Sequence, residues 1–215
     1  MGASHQGLNL TYHRVRRDSR IVVEPKDAPL YHLEEETEGD WWEVEALYDL
    51  CFAPGRTALS SYRLRDGVAT VAALCGVLRD EDGTMAAAIR YWPAEVGEHD
   101  ILLLGPIAVH PTRQGEGLGA LLINESLAEA RRLGWERVLL VGDAPYYARF
   151  GFAKLEAVEM PPPTNPERVL GLALKKGAWD GVAGRVAKSS SRRDCVAGFV
   201  CLTLPYEKHF SSAAI

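Results

Sequence analysis

The sequence predicts an α+β fold built on a mixed central sheet, and three features carry that expectation. Residues 101–141 read as strand, glycine-rich turn, helix and strand. Two apolar runs, 71–79 and 85–92, flank an Asp80-Glu-Asp-Gly83 turn and read as a hairpin. The pair Gly105-Pro106 interrupts the apolar run 101–109, where a strand that cannot ladder through proline has to bulge. At 215 residues the chain has room for one domain with extensions.

Taken in order, residues 1–34 read as an N-terminal extension, a flexible lead-in with one short strand at 21–24. It carries the basic patch Arg14-Val-Arg-Arg17 and borders the acidic run Glu34-Glu-Glu36. Residues 42–52 and 58–65 read as helices joined through a Pro54-Gly55 turn. The hairpin and the strand 99–109 follow. The next helix, 117–133, places Ile123, Leu127, Ala130 and Leu133 on one face, and Gly134 sits where a helix ends. Arg137-Val-Leu-Leu-Val is a buried strand, so the unit is βαβ, with parallel strands and a right-handed crossover. Asp143 and Pro145 start a short helix that Gly151 stops. Residues 152–158 read as a strand, Met160-Pro-Pro-Pro-Thr-Asn-Pro166 as a loop, and 169–174 as the last strand of a core domain spanning 35–187. The remainder, 188–215, reads as a linker and tail, with an apolar strand at 195–204 whose place stays open: added to the sheet, paired across a homodimer, or loose.

Composition narrows the function. A formal charge of −5 gives no general attraction to nucleic acid. No apolar segment follows Met1 as a signal peptide would, and no run approaches the ~20 residues of a membrane span. The expectation is a cytoplasmic protein with neither nucleic acid nor membrane as partner. Cys51, Cys75, Cys195 and Cys201 lack Cys-x-x-Cys spacing, and the histidines are scattered, so no metal is expected.

The chemistry centres on Gln114-x-x-Gly117-x-Gly119, which leads from a strand into a helix. The first amides of a helix lack intrahelical partners, and glycine lets them approach a phosphate closely. Three readings of the loop compete. A dinucleotide fold reads G-x-G-x-x-G almost directly after the strand, whereas His110 to Gln114 intervene here. It also wants an acidic residue ~20 positions on, at the end of a second strand; Glu136 begins a strand instead. No Lys-Ser or Lys-Thr follows, so this is not a P-loop. The spacing, after a strand ending Val109-His-Pro, resembles the acetyl-CoA loop of the GNAT N-acetyltransferases. A plain strand–turn–helix is the third reading.

A second segment, Tyr147-Ala-Arg-Phe-Gly151-Phe, resembles the other GNAT signature. The wording Leu-Gly-Pro-Ile-Ala-Val-His-Pro and Tyr-Tyr-Ala-Arg-Phe-Gly-Phe is most similar to the YhbS-like bacterial branch. Cys51-Phe-Ala-Pro-Gly-Arg-Thr with Tyr62-Arg-Leu-Arg, and Gly177-Ala-Trp-Asp-Gly, agree with it. The resemblance covers roughly 35–187. It implies the acyl-CoA N-acyltransferase fold, with a bulged strand in a mixed sheet and flanking helices. It also implies direct transfer of the acetyl group from acetyl-CoA, a cosubstrate, to a primary amine. The amides of Gln114, Gly115, Glu116, Gly117, Leu118, Gly119 and Ala120, with Arg113, would hold the pyrophosphate. Freed backbone groups at Ile107, Ala108 and Val109 would bind the pantetheine arm and polarise the thioester, and Phe150 would line the cofactor. Tyr147 would act as general acid on the departing thiolate, since a phenol stays protonated at neutral pH. Tyr146 reads as a packing aromatic and His110 as a turn residue.

The acceptor, a small-molecule or peptide amine, would be lined by Phe52, Arg56 and Tyr62. Arg56 either meets an acidic group there or pairs with a neighbour. The general base stays open among Glu98, His99, Asp100, Asp143 and a water relay. A CoA-binding regulatory or scaffold module without catalysis is the alternative to an enzyme.

Overall fold

The computed structural model describes residues 15–17, 20–23, 31–52 and 54–189. The chain divides into two compact units. The first comprises Met1–Arg56, Ala72–Tyr91 and Leu104–Gly134, the second Thr57–Val71, Trp92–Leu103 and Trp135–Ile215.

In the first unit four strands form an antiparallel meander: β1 (Val15–Arg17), β2 (Arg20–Val23), β3 (Tyr31–Glu35) and β4 (Gly76–Arg79). The meander continues into the first part of β5 (Met85–Val96). The lead-in is therefore more regular than its charge suggests, because 15–17 is a strand paired to the predicted short strand. Helix α1 (Trp41–Phe52) packs Val44, Leu47 and Tyr48 with Val77, Met85, Ala88 and Ala108. Before it, Asp40 accepts from the Thr37 amide at 2.8 Å and the Thr37 hydroxyl at 2.7 Å. Residues 71–75, expected as strand, instead hold a 3-10 turn at Ala72–Leu74.

The second unit holds α2 (Ser60–Arg65), the end of β5 and the first part of β6 (His99–Val109). The expected helix 58–65 is split, because Leu59 is extended at φ −65° and ψ 148°, between a 3-10 stretch Pro54–Ala58 and α2. Strand β6 pairs in parallel with β7 (Arg137–Val141) at Leu102↔Val138 and Leu103↔Leu139. The right partner and direction follow from the βαβ pattern, whose helix is α3 (Leu118–Arg132). A short helix α4 (Ala144–Ala148) follows β7. The expected strand 152–158 reduces to β8 (Ala153–Lys154) and β9 (Val158–Glu159). Between them the Leu155 amide still bonds the Val169 carbonyl at 3.0 Å, its side chain lies where a Cβ on Gly171 would be, at 2.7 Å, and the chain bends at 156–157. Strand β10 (Val169–Ala173) pairs antiparallel with β7 and with β8.

Strand β11 (Gly184–Lys188), absent from the sequence reading, pairs antiparallel with the end of β5 and parallel with β9. The expected strand 85–92 runs on to Val96, where β5 pairs with β11. Trp92, Ala94, Val96, Ile101, Leu103, Leu139, Val169 and Val186 form this unit's core. Among the described residues no helix is long and apolar enough to cross a membrane. The apolar stretch 195–204 lies outside the described residues.

Candidate active site

Strand β6 becomes irregular where the sequence breaks. Gly105 has φ 119°, a conformation that suits glycine alone, and its peptide to Pro106 is cis. The Pro106 carbonyl accepts a hydrogen bond from the Tyr48 hydroxyl at 3.2 Å. A carbonyl of a strand residue thus serves a side chain of α1, as a bulge permits. Ala108 is buried against α1, while Ile107 and Val109 are half-buried. The Val109 carbonyl accepts from Cys51 Sγ and from Gln114 Nε2, each at 3.4 Å. Burial pushes the Cys51 thiol up.

The glycine loop follows. The His110 amide donates to the Ala86 carbonyl at 2.8 Å, which fixes the loop base on β5. His110 Nδ1 accepts from the Thr112 amide at 3.3 Å and caps a 3-10 turn at Pro111–Arg113. His110 is a turn residue, as its sequence context suggested. Gly115 and Gly117 have φ 90° and 83°, so the chain turns twice through left-handed backbone before α3 begins. The Leu121 amide bonds the Gly117 carbonyl at 3.0 Å. The amides of Leu118, Gly119 and Ala120 come before that bond and have no carbonyl within the helix to meet. They form a donor cluster at the positive end of a helix of 15 residues.

The loop's charged side chains are tethered. Arg113 pairs with Asp80 at 2.9 Å and lies 4.0 Å from Glu116. Asp80, nearly buried, also accepts from the amides of Asp82 and Thr84 at 3.1 and 2.9 Å, so the hairpin turn anchors the loop. Glu116 takes the Tyr31 hydroxyl. Burial, with help from Glu116, pushes the Tyr31 phenol up to about 12. Arg113 was expected to be a phosphate ligand; here it is already shared with carboxylates.

Around Tyr48 lies an ionic cluster that sequence reasoning missed. Arg90, 7% exposed, donates to Glu36 through Nε at 2.8 Å and to Glu45 at 2.5 Å. Arg56, 5% exposed, donates to Glu45 at 2.5 Å and Asp49 at 2.8 Å. Both guanidinium groups lie over the fully buried Tyr48 ring, at 5.3 and 5.6 Å from its centroid. Burial alone would depress Arg90, but the bonds to Glu36 and Glu45 and the neighbouring Tyr48 outweigh it and its pKa is raised. Arg56 thus holds its charge in an internal network, the second of its two sequence readings. The available signal was Arg90 itself, a cation inside the apolar run Met85-Ala-Ala-Ala-Ile-Arg-Tyr-Trp, since a buried charge needs partners. Phe52, 46% exposed, ends the same helix with its ring 6.4 Å from Tyr48.

In the second unit, Tyr147 stands on α4, directly after β7. A Cβ on Gly142 would lie 2.3 Å from its ring, so glycine at 142 is what lets the ring settle. Phe152 packs edge-on at 5.8 Å and Tyr146 at 5.0 Å. Burial, then Tyr146, pushes the Tyr147 phenol up to about 12. Tyr146 is exposed and carries Arg149 over its ring at 4.2 Å; Phe150 shares that guanidinium at 4.7 Å. Tyr62 is half-buried and stacks on Arg65, whose guanidinium also faces Trp92 at 4.8 Å.

The candidate bases fare unevenly. Glu98 and Asp143 are exposed, and His99 and Asp100 are half-buried at the start of β6. Asp143 directly precedes α4, the tyrosine's own helix.

The geometry defines a class. The chain belongs to the acetyltransferase (GNAT) family, whose family model matches residues 30–152. Over 112 residues it is 30% identical to the uncharacterized N-acetyltransferase YhbS of Escherichia coli K12, a stretch equal to 51% of this chain and 65% of that protein. The chain thus spans just under two thirds of that relative. Among solved structures, the GNAT family N-acetyltransferase YhbS from Escherichia coli in complex with CoA matches with a TM-score of 0.65 at 25% identity, over 78% of this chain and 93% of that one. A GNAT family acetyltransferase from Brucella melitensis in complex with acetyl-CoA matches with a TM-score of 0.55 at 28% identity, over 74% and 96%.

Proposed function

We propose that this protein is an acetyl-CoA-dependent N-acetyltransferase that transfers the acetyl group directly to a primary amine. The observation that carries the reading is the left-handed pair Gly115 and Gly117 opening the α3 N-terminus, a donor cluster suited to a pyrophosphate. The relatives solved with CoA and acetyl-CoA support the same cosubstrate.

In this reading the amides of 114–120 take the pyrophosphate. The amides of 107–109 bind the arm and the acyl oxygen, and Phe150 lines the cofactor. The amine nitrogen bonds to the acetyl carbon, the amine proton leaves to a base or water, and the carbon–sulfur bond breaks. Tyr147 donates to the departing sulfur. With its phenol pushed up to about 12, it stays protonated throughout the neutral range. Full transfer to a thiolate of pKa ~8.5 would cost roughly 5 kcal/mol. Tyr147 therefore works chiefly by hydrogen-bonding charge as it develops, an effect realised in the transition state. The acceptor is a small-molecule or peptide amine, with Phe52 and Tyr62 as lining residues.

The test is release of free thiol from acetyl-CoA across a panel of primary amines. Amine-dependent release with an N-acetyl product supports the enzyme. Tight CoA binding with no turnover on any amine would favour a regulatory or scaffold module instead.

A further inference from the structure

The ionic cluster around Tyr48 takes two guanidinium groups out of water, which is costly. A buried ion network is seldom more stabilising than apolar packing of the same volume, so its retention calls for another role. Its centre offers one. Tyr48 is fully buried, two guanidinium groups face its ring, and its hydroxyl ends on the Pro106 carbonyl at 3.2 Å. That carbonyl belongs to the same peptide as the Ile107 amide. In a trans peptide the C=O and N–H point in opposite directions, so fixing one aims the other.

We infer that Tyr48 is a positioning residue: it locks the Pro106–Ile107 peptide and polarises it, so that the Ile107 N–H points away from α1 as a strengthened donor for the acyl oxygen of the thioester. The inference rests on the acetyl-CoA reading and deepens it. Hydrogen bonds in series reinforce one another in a low-dielectric interior, so a donor on the carbonyl strengthens the amide on the far side. Cations over the ring draw on its electron density, which makes the phenol O–H a stronger donor. Glu45 bridges both arginines, Glu36 holds Arg90 and Asp49 holds Arg56, so the guanidinium groups are anchored over the ring. Gly105, at φ 119°, supplies the backbone turn that delivers the carbonyl to the hydroxyl.

The experiment is isotope-edited infrared spectroscopy of acetyl-CoA labelled with carbon-13 at the carbonyl, bound to the full chain, with calorimetry of CoA alongside. In the wild type the carbonyl band should fall below its position in free acetyl-CoA. In Tyr48→Phe it should return most of the way, while CoA, which has no acyl oxygen, binds within about twofold of wild type. Site-specific 3-fluorotyrosine at position 48 keeps the ring and strengthens the donor, so the band should fall further. A wild-type band at the free position, or a Tyr48→Phe band equal to wild type, would overturn the inference. Should Tyr48→Phe fail to fold, the fluorinated protein decides: a band identical to wild type overturns the inference as well. Failure of the wild type to bind acetyl-CoA at all would instead overturn the functional reading beneath it.

Discussion

Tyr147 is held by its neighbours more than by its own bonds. Its ring fills the space that a Cβ at Gly142 would need, and Phe152 closes one edge. Gly142→Ala should therefore cost about 1–3 kcal/mol through overpacking. It should also lower turnover by displacing the tyrosine, as thermal melts and steady-state kinetics would show. Tyr147→Phe keeps the packing and removes the donor. The expected result is a fall in kcat of ~10² to 10⁴ with CoA affinity unchanged, provided chemistry limits turnover. The raised phenol also has a stability consequence. Its folded pKa, about 12, lies above the ordinary value of 10. Its contribution is fully present below pH 10 and is lost as pH rises towards 12, where the unfolded chain ionises first. Denaturant titrations across that window should show Tyr147→Phe losing less stability than wild type, by up to roughly 2–3 kcal/mol. The tyrosine's position was legible from Tyr147-x-x-x-Gly151-Phe. The role of Gly142 was not, because a close approach of ring to backbone leaves no mark in spacing.

At the scale of elements, helix α1 is fastened to its sheet by charge as well as by Val44 and Leu47. Glu45 contacts both buried arginines, so Glu45→Gln would leave two guanidinium groups short of an anion. Breaking a buried pair typically costs ~3–5 kcal/mol, and chemical denaturation should show a loss of that order, larger than for Glu43→Gln on the exposed side. The elements that read well are those with a strong period or clear punctuation: α3 between its glycines, β7 as a short apolar run, and β6 with its break. Those that read poorly owe their limits to tertiary partners. Strand β11 is mostly exposed and polar along Gly184-Arg-Val-Ala-Lys188, and only pairing with β5 and β9 makes it a strand. The expected strand 152–158 is cut by a bend at 156–157, after Leu155 has made its bond to Val169 and covered Gly171. Arg90 meets Glu45 and Glu36 across 45 and 54 residues of sequence, too distant for pattern to connect, and Arg56 joins the set through Glu45.

At the scale of the whole molecule, the family is shown by the match over residues 30–152, and the proposed cosubstrate rests on one local device: left-handed backbone at Gly115 and Gly117 opening α3. The Gln114–Gly119 loop belongs to the first unit and Tyr147 to the second. The central claim, that the loop grips the pyrophosphate of acetyl-CoA, is tested most directly by calorimetric titration with acetyl-CoA and NADH of wild type and Gly117→Val. Gly117 sits at φ 83°, where a β-branched side chain is both strained and in the path of a phosphate. The account predicts that wild type binds acetyl-CoA and not NADH, and that Gly117→Val loses binding while remaining folded by circular dichroism. A wild type that prefers NADH, or a folded Gly117→Val that binds acetyl-CoA as tightly as wild type, would contradict it.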